Sequence, residues 1–226
     1  MGLEIELVSW FLDIAIKGTK SKSLLNKYAT AANPIYMDYI QEALETNLNV
    51  QAQTFARLKN KLHSAIAHAL DVERNRGTIF WAGNGGSAAD SQHMAAELVG
   101  RFKKERKAIK SIALTTNTST LTAIANDYDY SQVFSRQLEA LASKGDILFA
   151  ISTSGNSKNI VDLCALAKTK GVFVVGLTGE GGGKLALYCD ILLDVSSKDT
   201  ARIQECHLLM EHLICEGIEI GVAKDL

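Results

Sequence analysis

His93 and Glu97 stand four residues apart in "AGNGGSAADSQHMAAELVGRF", a segment that reads as a helix behind a glycine-rich turn. That spacing puts both side chains on one helix face. An imidazole and a carboxylate on one face suit two ligands of a single metal ion. They equally suit an ordinary surface pair, and spacing alone favours the ordinary pair. A second polar group lies near the C-terminus, where Gln204, Glu205, His207, Glu211 and His212 sit among apolar residues. Of the five histidines, His93, His207 and His212 fall in these two helical segments. His63 and His68 lie on an earlier amphipathic helix and read as structural or exposed. The C-terminal polar residues also fit the solvated face of their helix, so the residues alone leave metal binding and solvation both open.

Three turns have the composition to hold an anion: "GNGGS" (83–87), "STSGNS" (152–157) and "TGEGGGK" (178–184). None has the spacing of a P-loop, and none completes a dinucleotide fingerprint with its acidic partner. "STSGNS" carries Ser152, Thr153, Ser154 and Ser157 around one glycine, between a strand and a helix. Hydroxyls and the backbone N–H groups of a helix start can together hold a phosphate dianion without a lysine. One hydroxyl would satisfy an ordinary N-cap; four in six residues favour phosphate. "GNGGS" fits either a backbone platform for a ligand or a tight turn.

The elements that must position these residues follow from hydrophobic periodicity. Apolar runs at 77–83, 109–115, 146–152, 172–179 and 189–195 alternate with helical patterns. The helical stretches are about 87–102, "STLTAIAND", "YSQVFSRQLEALASK", "NSKNIVDLCALAKTKG" and the segment from Thr200 onward. Near-continuous apolar strands separated by helices predict an α/β fold: a five-stranded parallel sheet flanked by helices in a three-layer sandwich. Ligands in such sheets bind beyond the carboxyl ends of the strands. Ahead of the sheet, Ile40, Leu44, Leu48, Phe55, Leu58, Leu62, Ile66 and Leu70 predict one long amphipathic helix, or two joined. Residues 1–36 read as a separable N-terminal extension, an extra helix or arm, ending in a polar break that carries the one proline, Pro34. Residues 37–226 read as one domain, and Met37 is an alternative start.

The chain has 226 residues, 47% hydrophobic and 22% charged, with a net charge of −1. That balance argues against a nucleic-acid or membrane surface, both of which favour a basic excess. The four cysteines form no CxxC pair and lie in apolar runs, as buried thiols of a reducing compartment do. The N-terminal residues carry Glu4, Glu6 and Asp13 and lack a basic leader pattern. The expected location is cytoplasmic.

The segments "AGNGGSAADSQHMAAELVGRF", "AIANDYDYSQVFSRQ", "GDILFAISTSGNSKNIV", "VVGLTGEGGGKLA" and "ARIQECHLLMEHLICEGIE" together resemble the sugar isomerase (SIS) domain proteins. Within them they resemble the phosphoheptose isomerases, over a span from about Met37 to the C-terminus. The resemblance implies a zinc-dependent aldose–ketose isomerase, commonly a homotetramer, making heptose precursors of lipopolysaccharide, capsule or another glycan. It implies His93, Glu97, Gln204 and His212 as ligands of one zinc per site, and Glu97 and His212 as the acid–base pair. It assigns substrate contacts to Asn84, Gly85, Gly86, Glu97, Asn126, Asp127, Ser152, Thr153, Ser154, Ser157 and Gln204, with Arg101 near the site. The implied reaction converts sedoheptulose 7-phosphate to D-glycero-D-manno-heptose 7-phosphate. Two departures stand out: Ala201 replaces an aspartate found in some members, and the first 36 residues have no counterpart.

Gln204 and His212 are eight residues apart, roughly 12 Å along a helix at about 1.5 Å per residue. One zinc is then out of easy reach for both, so each active site is expected to draw on more than one subunit. The resemblance leaves three other readings: a different sugar-phosphate isomerase, a non-catalytic regulator binding a replication initiator, and a sugar-phosphate sensor without turnover. The regulators lack the glutamate at 97 and the histidine at 212, which favours the enzyme.

Overall fold

The computed structural model describes residues 34–224. Residues 1–33, most of the expected N-terminal extension, lie outside the described residues. The chain divides into two units, Met1–Glu45 and Thr46–Leu226. Helix α1 (Pro34–Arg74) opens with proline at its first position, where no intrahelical N–H is needed. The long amphipathic pattern therefore forms one helix, and it starts three residues before Met37.

The second unit alternates strand and helix: β1 (Ile79–Gly83), α2 (Gly86–Val99), β2 (Ser111–Ala113), α3 (Thr118–Asp127), α4 (Ser135–Leu141), β3 (Ile147–Ser152), α5 (Lys158–Lys170), β4 (Phe173–Thr178), β5 (Ile191–Asp194) and α6 (Thr200–Lys224). The expected helix over "YSQVFSRQLEALASK" divides into a 3-10 turn, Tyr130–Gln132, and the short α4. All strand pairs are parallel, in the order β2-β1-β3-β4-β5. The three-layer α/β sandwich expected from the apolar runs is the one observed.

Alternate residues of each strand enter opposite cores, as a period of two requires. Ile79, Trp81, Ile147, Phe149 and Val175 join Leu58, Leu62, Met94, Leu98, Met210 and Ile214 of α1, α2 and α6 on one face. Phe80, Leu148 and Val174 join Leu138, Ile160 and Leu163 of α4 and α5 on the other. Trp81 stacks on its register partner Phe149, ring centres 4.3 Å apart, and its indole N–H donates to Ser111 Oγ at 3.0 Å. Both faces are covered, which is why every residue of β1 and β3 is buried and why those strands read as unbroken apolar runs. Cys164, Cys206 and Cys215 are buried free thiols and Cys189 is half-buried. His63 and His68 are exposed, the latter stacked on Phe173. Among the described residues no helix is long and apolar enough to cross a membrane.

Strand order reverses between β1 and β3. The crevice beyond their carboxyl ends is where such a sheet binds its ligand, and the two turns with the most informative compositions both open there.

Candidate active site

Gly83 ends β1, and Gly85 is the N-cap of α2, so the "GNGGS" turn is the strand-to-helix corner itself. Ser152 ends β3, and Ser157 is the N-cap of α5. The Ser157 hydroxyl makes no capping hydrogen bond; Ser152 Oγ donates to it at 3.1 Å. Ser154 Oγ accepts from the Asn156 N–H, and the Thr153 carbonyl accepts from Gly179 N–H at 2.9 Å. Ser152 is buried, Thr153 and Ser157 half-buried and Ser154 exposed, so the loop runs from the core to the surface at a helix start. Capping therefore does not explain these hydroxyls.

The two corners are joined. Asn84 and Asn159 exchange amide hydrogen bonds at 2.9 and 2.8 Å, and Tyr130 Oη donates to Asn84 Oδ1 at 3.4 Å. Asn159 and Tyr130 were not candidates from sequence. An asparagine two residues after the serine loop was the one legible signal for Asn159, and Tyr130 had none. Asn126 and Asp127, exposed at the end of α3, are bonded to each other and lie a few residues before Tyr130.

The third glycine-rich turn serves as a brace. Leu185 N–H donates to the Gly155 carbonyl at 2.9 Å and Lys184 N–H to Asn156 Oδ1 at 3.1 Å. Gly155 has φ +64°, and a Cβ there would collide with the Gly182 carbonyl. Gly155→Ala is expected to displace the serine loop and, if that loop holds a substrate phosphate as its hydroxyls suggest, to weaken substrate binding about tenfold or more with a smaller change in kcat. Steady-state kinetics check this: a KM within twofold of the parent would show that the loop does not hold the phosphate.

Beyond the loops, α2 and α6 meet side by side along the length of α2. Gln204 lies against Gly86, where a Cβ would sit 2.7 Å from Nε2. Further on, His93 Nε2 is 3.0 Å from Glu97 Oε1, the His93 and His212 rings meet edge-on at 5.1 Å, and Phe102 stacks on His212 at 5.5 Å. Three of the four expected ligands thus converge, with His93 and His212 brought together from opposite ends of the domain. Gly86, against which Gln204 lies, is seven residues from His93 along α2, roughly 10 Å of helix, so Gln204 does not join the other three within the chain. Arg101 is exposed, its side chain 63% accessible. Ala201 is also exposed.

Two imidazoles, a carboxylate and an amide oxygen form a donor set of the kind zinc takes. Among the described residues of one chain, however, no group of three His, Cys, Asp or Glu side chains is arranged to close on a metal ion. The donor types fit, and a single chain leaves the set open.

The polar residues of α6 are not merely its solvated face. His207 and Glu211 are fully buried. His207 Nε2 donates to the Thr178 carbonyl at 3.1 Å, and burial pushes its pKa down to about 4. Burial, with the Asp90 charge added, pushes Glu211 up to about 8, and neither of its oxygens has a hydrogen-bond partner. Burial also raises Asp90, while His93 and His212 pull it back. Asp90 thus lies within electrostatic reach of His93, His212 and Glu211.

The SIS domain family model matches residues 38–179. A phosphoheptose isomerase from Aliarcobacter butzleri is 53% identical over 168 residues, covering 74% of this chain and 89% of that one. Among solved structures, phosphoheptose isomerase GmhA from Neisseria gonorrhoeae superposes with a TM-score of 0.77 at 39% identity, over 82% of this chain and 99% of that one. A phosphoheptose isomerase from Francisella tularensis gives 0.79 at 34% identity, over 82% and 98%.

Proposed function

The chain belongs to the phosphoheptose isomerases of the SIS domain family, an isomerase of sugar phosphates for heptose biosynthesis, and from that premise we propose that it converts sedoheptulose 7-phosphate to D-glycero-D-manno-heptose 7-phosphate. The observation that carries the reading is the convergence of His93, Glu97 and His212, candidates for base and proton carrier, in a domain whose serine-rich loop opens at the sheet's switch point.

The reaction moves a proton from C1 to C2 through an enediol while the two oxygens exchange hydroxyl and carbonyl character. It needs a base at carbon and a proton carrier at oxygen. Glu97 takes the proton from C1 and returns it to C2. His212 relays protons between O1 and O2. Ser152, Thr153, Ser154 and Ser157, with the start of α5, hold the phosphate and set the distance to the reacting carbons. Asn84, Gly85 and Gly86, braced through Asn159, carry the sugar backbone, and Asn126, Asp127 and Gln204 add polar contacts.

His93, Glu97 and His212 would hold one zinc, with Gln204 of a second copy of the chain completing the set. Bound there, zinc would supply Lewis-acid polarisation of the sugar's carbonyl and hydroxyl oxygens. A homotetramer with active sites between subunits, and a cytoplasmic location, belong to the same proposal. A sensor would keep the serine loop but needs neither Glu97 nor His212, and the regulators lack both.

Turnover of sedoheptulose 7-phosphate is expected to fall on chelation and return with zinc. No turnover in the presence of zinc would leave a binding protein as the reading. Sharing of sites has its own test. Gln204→Ala and His212→Gln, each inactive alone, are expected to regain measurable activity when unfolded and reassembled together. Inactive mixed assemblies would mean that each chain completes its own site.

A further inference from the structure

Behind His212 lies a loop, residues 100–108, whose side chains are exposed except for Phe102, half-buried, and Arg106, buried. Little apolar burial holds such a segment in place. Two charged groups do so instead. Glu219 of α6 is 1% exposed, and its carboxylate accepts three consecutive backbone N–H groups: Phe102 at 3.0 Å, Lys103 at 2.8 Å and Lys104 at 2.9 Å. Successive N–H groups converging on one anion form a nest. Burial would raise the Glu219 carboxyl, but the N–H groups of Lys103, Phe102 and Lys104 together with Arg106 outweigh it and hold the pKa below the ordinary value.

Arg106 completes the arrangement from the other side. Its Nη1 donates to the carbonyls of Leu98, Gly100 and Lys107 at 2.8, 3.0 and 3.1 Å, and its Nη2 to that of Glu97 at 2.7 Å. The guanidinium thus takes the orphan carbonyls at the end of α2, where a cation also suits the helix dipole. Nε lies 3.4 Å from Glu219 Oε1, an ion pair without hydrogen-bond alignment.

The consequence reaches His212. Phe102 lies flat against the imidazole, planes 15° apart, while His93 meets it edge-on at 83°. A histidine ring turns easily about its last torsion; here a parallel ring covers one face and a perpendicular ring limits rotation on another side.

We propose that Glu219 and Arg106 are positioning residues for the isomerisation: they pin the loop so that Phe102 sets the orientation of the His212 imidazole, and Arg106 anchors the turn of α2 that carries Glu97. This rests on the reading of His212 as the proton carrier at oxygen. A misplacement of about 1 Å in a reacting group can cost about 100-fold in rate, so the effect falls on kcat more than on KM.

The test uses the full chain and sedoheptulose 7-phosphate, with Phe102→Leu, Phe102→Tyr, Glu219→Gln and His212→Gln compared. Phe102→Leu keeps apolar bulk and loses the flat face. It is expected to lower kcat about 10- to 100-fold, with KM within about twofold and an unchanged melting temperature. Phe102→Tyr is expected to restore most of the rate, and Glu219→Gln to reproduce the kcat loss. Independently of turnover, the His212 ring-proton signal of metal-free protein is expected to lose its ring-current shift in Phe102→Leu and keep it in Phe102→Tyr. An unchanged kcat in Phe102→Leu, with His212→Gln inactive, overturns the positioning role alone. So does a kcat that falls only in step with the melting temperature. Full activity in His212→Gln overturns this inference together with the site reading beneath it.

Discussion

Glu97→Gln is expected to lower turnover of sedoheptulose 7-phosphate by about 1,000-fold, within the range that a positioned general base contributes. The substitution keeps size and polarity and removes the ability to accept a proton from carbon. Glu97 sits in the last turn of α2, 3.0 Å from His93, with its side chain 22% exposed and its own carbonyl tied to Arg106. Backbone placement therefore survives the change, and the melting temperature is expected to hold. The proposed phosphate site is the serine loop rather than α2, so KM is expected to move by less than about threefold while kcat collapses. His212→Gln is expected to give a comparable loss, because proton transfer at oxygen is needed in the same step. Full activity in either variant, measured with zinc present, would remove the acid–base assignment.

Glu211→Met is expected to be the most stabilising single change at neutral to alkaline pH. Glu211 is 0% exposed, neither oxygen has a partner, and the Asp90 carboxylate faces it. Its pKa rises from 4.5 in the unfolded chain to about 8 in the fold. An acid whose pKa rises on folding contributes fully below the unfolded value, and that contribution is lost as pH climbs through the folded one. The window is therefore pH 4.5 to about 8, at about 1.4 kcal/mol per pH unit. His207 opposes it in part. Its pKa falls from 6.5 to about 4, so it costs stability as pH drops through that range. The two slopes offset each other between 4.5 and 6.5, and the Glu211 decline stands alone from 6.5 to about 8. Denaturant unfolding of the metal-free protein across that interval is expected to show a loss of about 2 kcal/mol. In Glu211→Gln the loss is expected to vanish, and in Glu211→Met the stability is expected to rise as well. A parent protein equally stable at both ends would mean that Glu211 finds a partner in solution.

Much of this architecture was legible because it is local. The five strands are apolar runs of the right length, and the turns at 83–87 and 152–157 carry the glycines and hydroxyls that a strand-to-helix corner at a phosphate site needs. Element ends were less legible where a distant group decides them. The helix expected to reach Phe102 stops at Val99, because Glu219 claims the N–H groups of residues 102–104 and Arg106 claims the carbonyls before them. The helical stretch from Tyr130 breaks at Val133–Phe134, after a 3-10 turn whose Tyr130 reaches Asn84.

The amino-acid sequence by itself determined the sheet, the placing of both loops at strand ends, and the separation of Gln204 from His212, since eight residues of helix span roughly 12 Å in any fold. Only the tertiary structure decided which polar residues of α6 are buried. His207, Glu211 and Glu219 are buried while Glu205 is not; the three fall at four-residue spacing with the buried Ile203 and Cys215, but their polar character masks that stripe in the sequence. Burial there depends on how two helices more than 100 residues apart dock on one face of the sheet. That docking sets His212 against His93, leaves Glu211 without a partner, and lets Phe102 lie flat on the ring it holds.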